Sequence, residues 1–440
     1  MTVTAEYAAK GLPPVPTPTG SAHDSATQFL LELARTLHIY GTPANRLEAS
    51  LESVAARLGL EAQFFSTPTS LLVGIGPAVH QQVHLLRVEP GAPNLGHLSE
   101  LSCITRDVVD GTADPAEGYR RIAALLSAPE RWPTALRMLA FVMSSGAIAC
   151  FLKVNIIDVG VAAFLGLVTG VIALFAGRRE SWSHVVDIVA AFIVSTLAFT
   201  IDAFTHTNSG YATSLAGLAV LLPGLTLTIA LTELSARHLA SGTSRVMGAL
   251  VVFLGLAFGI ALGARLGDAI GHLLGAANHV ATGFSVPTIT DLPKWAEWVA
   301  LVIAPLAFTV LLNAERRDAG IIVVASALAY ITARVAGGAL GEELGAFLGA
   351  LVVSAGSNAS ARWLKRSAMV TLTPGLLVLV PGSIGFRSVT FMLGQDVETG
   401  VATAFRVALI GISLAAGVLA GNVVTESFER RTSSDGFAPG

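Results

Sequence analysis

The apolar run Leu218-Ala-Val-Leu-Leu-Pro-Gly224 occurs a second time as Leu376-Leu-Val-Leu-Val-Pro-Gly382. Without a gap, the same offset superimposes Ser209 on Ser367, Gly217 on Gly375, Gly242 on Gly400, Gly259 on Gly417 and Gly263 on Gly421. That register marks an internal repeat. Each copy sets Pro-Gly inside an apolar stretch, where Pro removes a helix hydrogen bond and Gly loosens the backbone, so both helices are expected to break there. Broken backbone at membrane depth persists only where it is buried in protein or lines a cavity, and many transporters build their substrate site in this way.

Around the repeat, the composition is that of an integral membrane protein. Of 440 residues, 53% are hydrophobic and 13% charged, with a mean hydropathy of +0.67. Ten segments are apolar enough to cross a bilayer: 134–152, 156–176, 184–202, 209–232, 246–264, 296–313, 319–336, 340–357, 367–393 and 401–424. Placing the N-terminus inside puts Arg178, Arg179, Arg237, Arg245, Arg316, Arg317, Arg362, Lys365, Arg366, Arg430 and Arg431 on inner connections. The outer ones then hold only Lys153, Arg265, Lys294, Arg334 and Arg387. This asymmetry favours ten helices with both termini cytoplasmic. Five helices per copy is an odd number, so the second copy runs through the membrane in the opposite sense. The expected fold is therefore a mainly α-helical membrane protein of two inverted five-helix repeats, with the two Pro-Gly breaks facing one another.

The apolar material begins only near Thr134. Residues 1–24 read as a disordered polar tail with no signal peptide, and 25–133 as a small cytoplasmic α+β domain. Within that domain, apolar residues at helical spacing predict a helix pair over Ala26–Gly59 with a turn at Gly41-Thr-Pro43. Three short strands follow over Glu61–Pro90, then helices at about Leu98–Asp110 and Asp114–Ser127, the last opened by Asp114-Pro115. The first repeat is assigned to 134–267, an outer connector to 268–295, the second repeat to 296–425 and a cytoplasmic tail to 426–440.

A net charge of −3 with no basic half gives no footprint for nucleic acid. Cys103 and Cys150 have neither metal nor redox spacing. His80, His84 and His97 accompany no hydrolase or metalloprotease motif and read as scattered surface histidines. No catalytic residue, metal or cofactor is assigned, and the absence of a Walker A sequence argues against ATP as the driver.

The breaks supply the substrate-site candidates: Pro223, Gly224 and Leu225 in the first copy, and Thr373, Pro374, Gly375, Pro381, Gly382, Ser383 and Arg387 in the second. Freed N–H and C=O groups there suit the carboxylate and ammonium of an amino acid. Ionisable residues at membrane depth supply the proton-coupling candidates. Asp187, one turn into the third segment, is the preferred carrier, against a plain pairing with Arg178 or Arg179. Asp158 reads as a helix start at the outer interface. Asp202 with His206 reads as a solvated cap, and Glu233 with Arg237 as a surface pair.

Leu222-Pro-Gly-Leu-Thr-Leu-Thr-Ile-Ala-Leu-Thr-Glu-Leu, followed by Ser241-Gly242 and Arg245, resembles the first membrane half of the threonine/serine exporter family. Thr373-Pro-Gly-Leu-Leu-Val-Leu-Val-Pro-Gly ending in Phe386-Arg387 is similar to its second half, and Tyr40-Gly-Thr with Phe65-Ser-Thr-Pro-Thr-Ser to its cytoplasmic region. The resemblance covers about residues 25–425. It implies export of L-threonine and L-serine across the plasma membrane, driven by the proton gradient. Relatives with the two halves on separate chains are linked to succinate export, so a dicarboxylate exporter is one alternative and a membrane-anchored enzyme with its chemistry in the N-terminal domain another. The implied partners are an amino-acid substrate, protons and the bilayer, and a homo-oligomer is compatible with the same features.

Overall fold

The computed structural model describes residues 22–89, 91–177, 185–275, 292–379 and 397–434. The tail 1–21, Arg178 and Arg179, the connector 276–291, and Pro381, Gly382, Ser383 and Arg387 lie outside the described residues.

The N-terminal domain follows its periodicity. Helices α1 (Ala22–Ile39) and α2 (Ala44–Arg57) bury Phe29, Leu30, Leu33, Leu47 and Leu51 completely. An antiparallel meander comes next, β1 (Ala62–Thr67), β2 (Ser70–Ile75) and β3 (Gln82–Arg87). Thr67 pairs with Ser70 across the first turn, and Ile75 with Gln82 across the second. Helices α3 (Leu95–Val109) and α4 (Pro115–Leu126) close the domain. Asn94 and Asp114 cap them, accepting from His97 N at 3.0 Å and Ala116 N at 3.3 Å.

The apolar region opens with α5 (Thr134–Phe151), α6 (Ile156–Ala176), α7 (Val186–Thr205) and α8 (Gly210–Gly217). One 3-10 turn (Ala219–Leu221) leads to α9 (Gly224–Ser235) and α10 (Leu239–Leu273). Beyond the connector come α11 (Lys294–Leu311), α12 (Ala319–Leu340), α13 (Glu342–Leu364), α14 (Met369–Leu379) and α15 (Val397–Ser434). Among the described residues, seven helices are long and apolar enough to cross a membrane, or eight if the bent pair α8 and α9 forms one span. Helices α11 and α14 occupy two further apolar segments and are shorter than a full span. Large apolar side chains on the outer faces, Val251 and Phe258 among them, are more than half exposed. A helix that is apolar on both its packed and its open face is built for lipid.

Three boundaries differ from the sequence reading. Helix α10 runs to Leu273 rather than ending at 264, which moves the start of the connector beyond 268. Arg265, Asp268 and His272 end the apolar stretch but not the helix, because they leave Leu266, Ala269 and Ile270 at helical spacing. Helix α15 likewise carries through the start of the expected tail to Ser434. The expected break at Pro374-Gly375 is absent: α14 is helical through both residues and buried from Met369 to Leu376. Close packing on every side sustains that helix despite the missing Pro N–H.

Equivalent positions of the sequence repeat make equivalent contacts. Helix α10 packs along α7, and α15 along α13. A Cβ on Gly259 would lie 2.6 Å from Ile188 O, and one on Gly417 would collide with Phe347 O, so both crossings depend on a bare backbone. Beside them, Ser195 Oγ donates to Ile260 O and Ser354 Oγ to Val418 O, each at 2.9 Å. Helices α5 and α11 pack directly on one another through Ala147, Ala300 and Ala304.

The N-terminal domain is seated on this bundle rather than tethered to it. Leu95 N and Gly96 N, at the start of α3, donate to Leu312 O (2.9 Å) and Asn313 O (3.1 Å) at the end of α11. Two helix termini thus satisfy each other's orphan groups. Trp132 Nε1 bonds Ala314 O at 3.0 Å, and Arg106 Nη1 bonds Lys365 O at 3.1 Å.

Candidate functional site

Leu222 is extended (φ −65°, ψ 126°), Pro223 lacks an N–H, and helical bonding resumes with Leu227 N donating to Pro223 O. A separate bend of 57° lies just before it, at Leu218, between α8 and the stretch Ala219–Ser235 that contains Pro223. Beyond it, α9 presents Leu225, Thr228 and Thr232 to a cleft whose far wall is α14 with Met369, Leu372 and Thr373. The cleft is about 30 Å³, room for a water or two. Its side toward the N-terminal domain is filled by the turn between α1 and α2, which contributes Pro43, Asn45 and Arg46. Thr228 and Thr232 bond back to carbonyls one turn earlier in α9. Asn45 Oδ1 and Thr373 Oγ1 are buried and have no hydrogen-bond partner among the described residues. A buried polar atom without a partner costs about 1–3 kcal/mol, so the pair marks a place where a polar guest is accommodated.

Of the substrate-site candidates, Leu225 and Thr373 line this cleft; Gly224, Pro374 and Gly375 are buried beside it, Gly375 against Val353. Pro223 precedes the first residue of α9, beyond the bend at Leu218.

Glu233 is not in a surface pair with Arg237. It is fully buried, accepting from Ala44 N (2.8 Å), Ser241 Oγ (2.8 Å) and Arg245 Nε (3.1 and 3.2 Å). Helix α9 ends at Ser235 and the chain reverses at Arg237 (φ 68°), so the four-residue spacing no longer lies on one helix. Glu233 instead caps the N-terminus of α2, whose own preceding residue, Pro43, offers no side-chain cap. Nearby, Glu48 faces His238 at 3.5 Å and accepts from Ser66 N, while His38 bonds Pro68 O and Ser66 Oγ. Burial pushes the His38 imidazole below its ordinary value and the Glu48 carboxyl above its own.

Asp158 and Asp202 come together at the opposite end of the bundle. Asp158 is 3% exposed and lies in the first turn of its helix, with Asn155 as the cap. Thr207 Oγ1 reaches both carboxylates, Asp158 at 2.9 Å and Asp202 at 3.0 Å, and Asp202 also accepts from Ser209 N. His206 is the left-handed C-cap of α7. Asp187 sits in the first turn of α7, away from the cleft. In the C-terminal helices a second carboxylate, Asp318, is 1% exposed and ion-paired with Arg366.

The sequence reading missed Arg46, Asn45 and Asp318. One signal was legible: Arg46 places a cation in the first turn of a helix, where the dipole disfavours it.

Residues 28–267 match the family model of threonine/serine exporters (ThrE), and residues 297–424 match a second model, "Threonine/Serine exporter, ThrE". The chain belongs to the threonine/serine exporter family. Among curated relatives, this exporter-family chain is 26% identical over 371 residues to pheromone-regulated membrane protein 10 of Candida albicans (strain WO-1), an overlap of 82% of this chain and 33% of that one. It is 24% identical over 392 residues to the protein of that name from Eremothecium gossypii (87% and 51%), and 25% over 370 residues to that of Saccharomyces cerevisiae strain YJM789 (82% and 47%). The chain spans a third to about a half of the length of these curated relatives. No solved structure matches it.

Proposed function

We propose that the chain is a secondary exporter of small hydroxylated amino acids, L-threonine and L-serine, driven by the proton gradient across the plasma membrane. In this reading ten segments span the bilayer as two inverted five-helix repeats with both termini cytoplasmic, and residues 25–133 form the cytoplasmic domain. The observation that carries it is the hydroxyl-lined cleft where the Pro223 break meets α14, a wall drawn from the other repeat. Discontinuous helices at a repeat interface are where secondary transporters bind substrate. Pro381, Gly382, Ser383 and Arg387, of the second Pro-Gly copy in the sequence, are further candidates for the same site.

For coupling, Asp158 is the stronger candidate over Asp187 and Asp202. It is buried and met by a hydroxyl, with no Lys or Arg in ion-pair reach among the described residues, so either protonation state can be hydrogen-bonded. The test is transport of labelled threonine, serine and succinate by purified full-length protein in liposomes with an imposed pH gradient. Threonine and serine movement that follows the gradient supports the reading. Movement of succinate alone replaces it with dicarboxylate export.

A further inference from the structure

Arg46 stands between two cavities. On its cytoplasmic side is a vestibule of about 580 Å³ between the N-terminal domain and the start of α14, ample for an amino acid. On its other side is the 30 Å³ cleft. Arg46 and Met369 line both spaces and meet each other, Nη1 to Sδ at 3.9 Å, so this contact is the constriction between them. Nη2 donates to Asn422 Oδ1 of α15 at 3.1 Å. Among the described residues no Asp or Glu lines either space, and none ion-pairs with Arg46. Arg46 is half-buried, and a guanidinium taken partly out of water is disfavoured without an anion to meet its five donors. Here it has an amide and a thioether.

Three further features point the same way. Arg106, also on the vestibule wall, adds a second cation to a route edged by serine and threonine hydroxyls and by apolar side chains. Asn45 and Thr373, both on the cleft side, hold the two unpartnered buried oxygens. Glu233, a residue of the bundle, caps α2 and so fixes the turn that carries Arg46, although the helix dipole alone would disfavour a cation there.

We propose that Arg46 is the inner gate and the carboxylate receptor of the transport site, contributed by the cytoplasmic domain: its guanidinium holds the carboxylate of an incoming amino acid while Asn45 and Thr373 take the ammonium and hydroxyl. This rests on the export reading above. The observed conformation is the closed one, with Arg46 turned onto Asn422 and Met369 and the cleft too small for substrate. Opening exchanges the Asn422 bond for a bidentate bond to the carboxylate.

Binding of labelled threonine to the detergent-solubilised full chain, competed by threonine and by threoninol, which lacks the carboxylate, tests the assignment. The parent should prefer threonine. Arg46→Gln should weaken threonine by about ten- to a hundredfold and leave threoninol nearly unchanged, so that the preference disappears. Arg46→Met, which keeps the stem length beside Met369, serves as a second neutral variant should Gln disturb folding. Arg46→Lys should restore part of the preference. A folded neutral variant that keeps the parent's preference overturns the proposal, as does one that loses both ligands equally, since that is the mark of a purely structural role. If the parent itself neither binds nor transports threonine or serine, the export reading fails and the gate with it.

Discussion

The two sets of membrane helices share a scaffold and differ in what they bury. Asp158 lies in the first turn of α6, and Asp318 immediately precedes α12 at the corresponding place. Each reaches the segment that leads into the broken or shortened element of its own set, through Thr207 in the first case and Arg366 in the second. The first carboxylate meets a neutral hydroxyl, whereas the second is locked in an ion pair. The two sets of helices, alike in their glycine crossings, thus differ in the chemistry of these partners.

The largest expected effect breaks the locked end. Asp318→Asn leaves Arg366 half of a buried pair and should destabilise the protein by about 3 kcal/mol, seen as a lower detergent unfolding midpoint and poor yield. Asp158→Asn removes only an acceptor for a hydroxyl and should cost about 1 kcal/mol. It should instead abolish gradient-driven efflux while leaving threonine counterflow intact, because exchange requires alternation but no net proton movement. Equal destabilisation by the two substitutions would dissolve the contrast.

The second effect concerns the breaks. Pro223→Ala restores a backbone donor and lets the 3-10 turn and α9 join as one helix, closing the cleft, so transport should fall sharply in a protein that still folds and inserts. Pro374→Ala sits inside a continuous helix and should leave transport near the parent value, with stability unchanged or improved. Counterflow rates in liposomes check both. Parent-like transport by Pro223→Ala would reduce the break to a packing kink.

Third, Ser195→Ala and Ser354→Ala each delete one interhelical bond of 2.9 Å at equivalent crossings, and each should lower stability by about 1 kcal/mol. A clear inequality would show that the shared packing is geometric but not energetic.

What the sequence made legible follows from range. Periods of 2 and 3.6 residues are local, so the helices and strands of the N-terminal domain and the place of the apolar helices among the described residues could be read, as could the break at Pro223. The repeat set Gly259 on Gly417, but nothing in it named the helices that cross there. Partners distant in sequence left no local trace: Glu233 with Ala44, Asp318 with Arg366, and Arg46 with Asn422 and Met369. Spacing on one helix suggested Arg237 for Glu233, and the chain reversal supplied Arg245 instead.

The smallest expected effect separates the two seats of the N-terminal domain. Its contact with the C-terminal helices is made by backbone donors at Leu95 and Gly96, by Trp132 and Arg106, and by an ion pair of Arg131 with Glu315, whereas its contact with the N-terminal helices is edged by Glu48, His238, Glu233 and the nearby His38. His38 is 2% exposed, and its folded-state value is lowered mainly by burial and further by Arg245, against the raising influence of the Pro68 carbonyl bond and of Glu233. A lowered value means that the unfolded state takes up the proton more readily. The stabilising contribution of neutral His38 is therefore fully present above its unfolded value of 6.5 and is lost as pH falls from there through the folded value. Glu48, raised chiefly by burial, has the opposite sign, its contribution being lost as pH rises from 4.5 through its folded value, so a single pH scan mixes the two. Comparing the parent with His38→Gln isolates the histidine: their stability difference should shrink as the pH is lowered from 7.5 to 5.5. Hydrogen exchange should show that change at the Ser66 amide on β1 and not at the Leu95 and Gly96 amides. Equal acid sensitivity at both places would mean that the domain releases as one body, and the distinction between the two seats would fall.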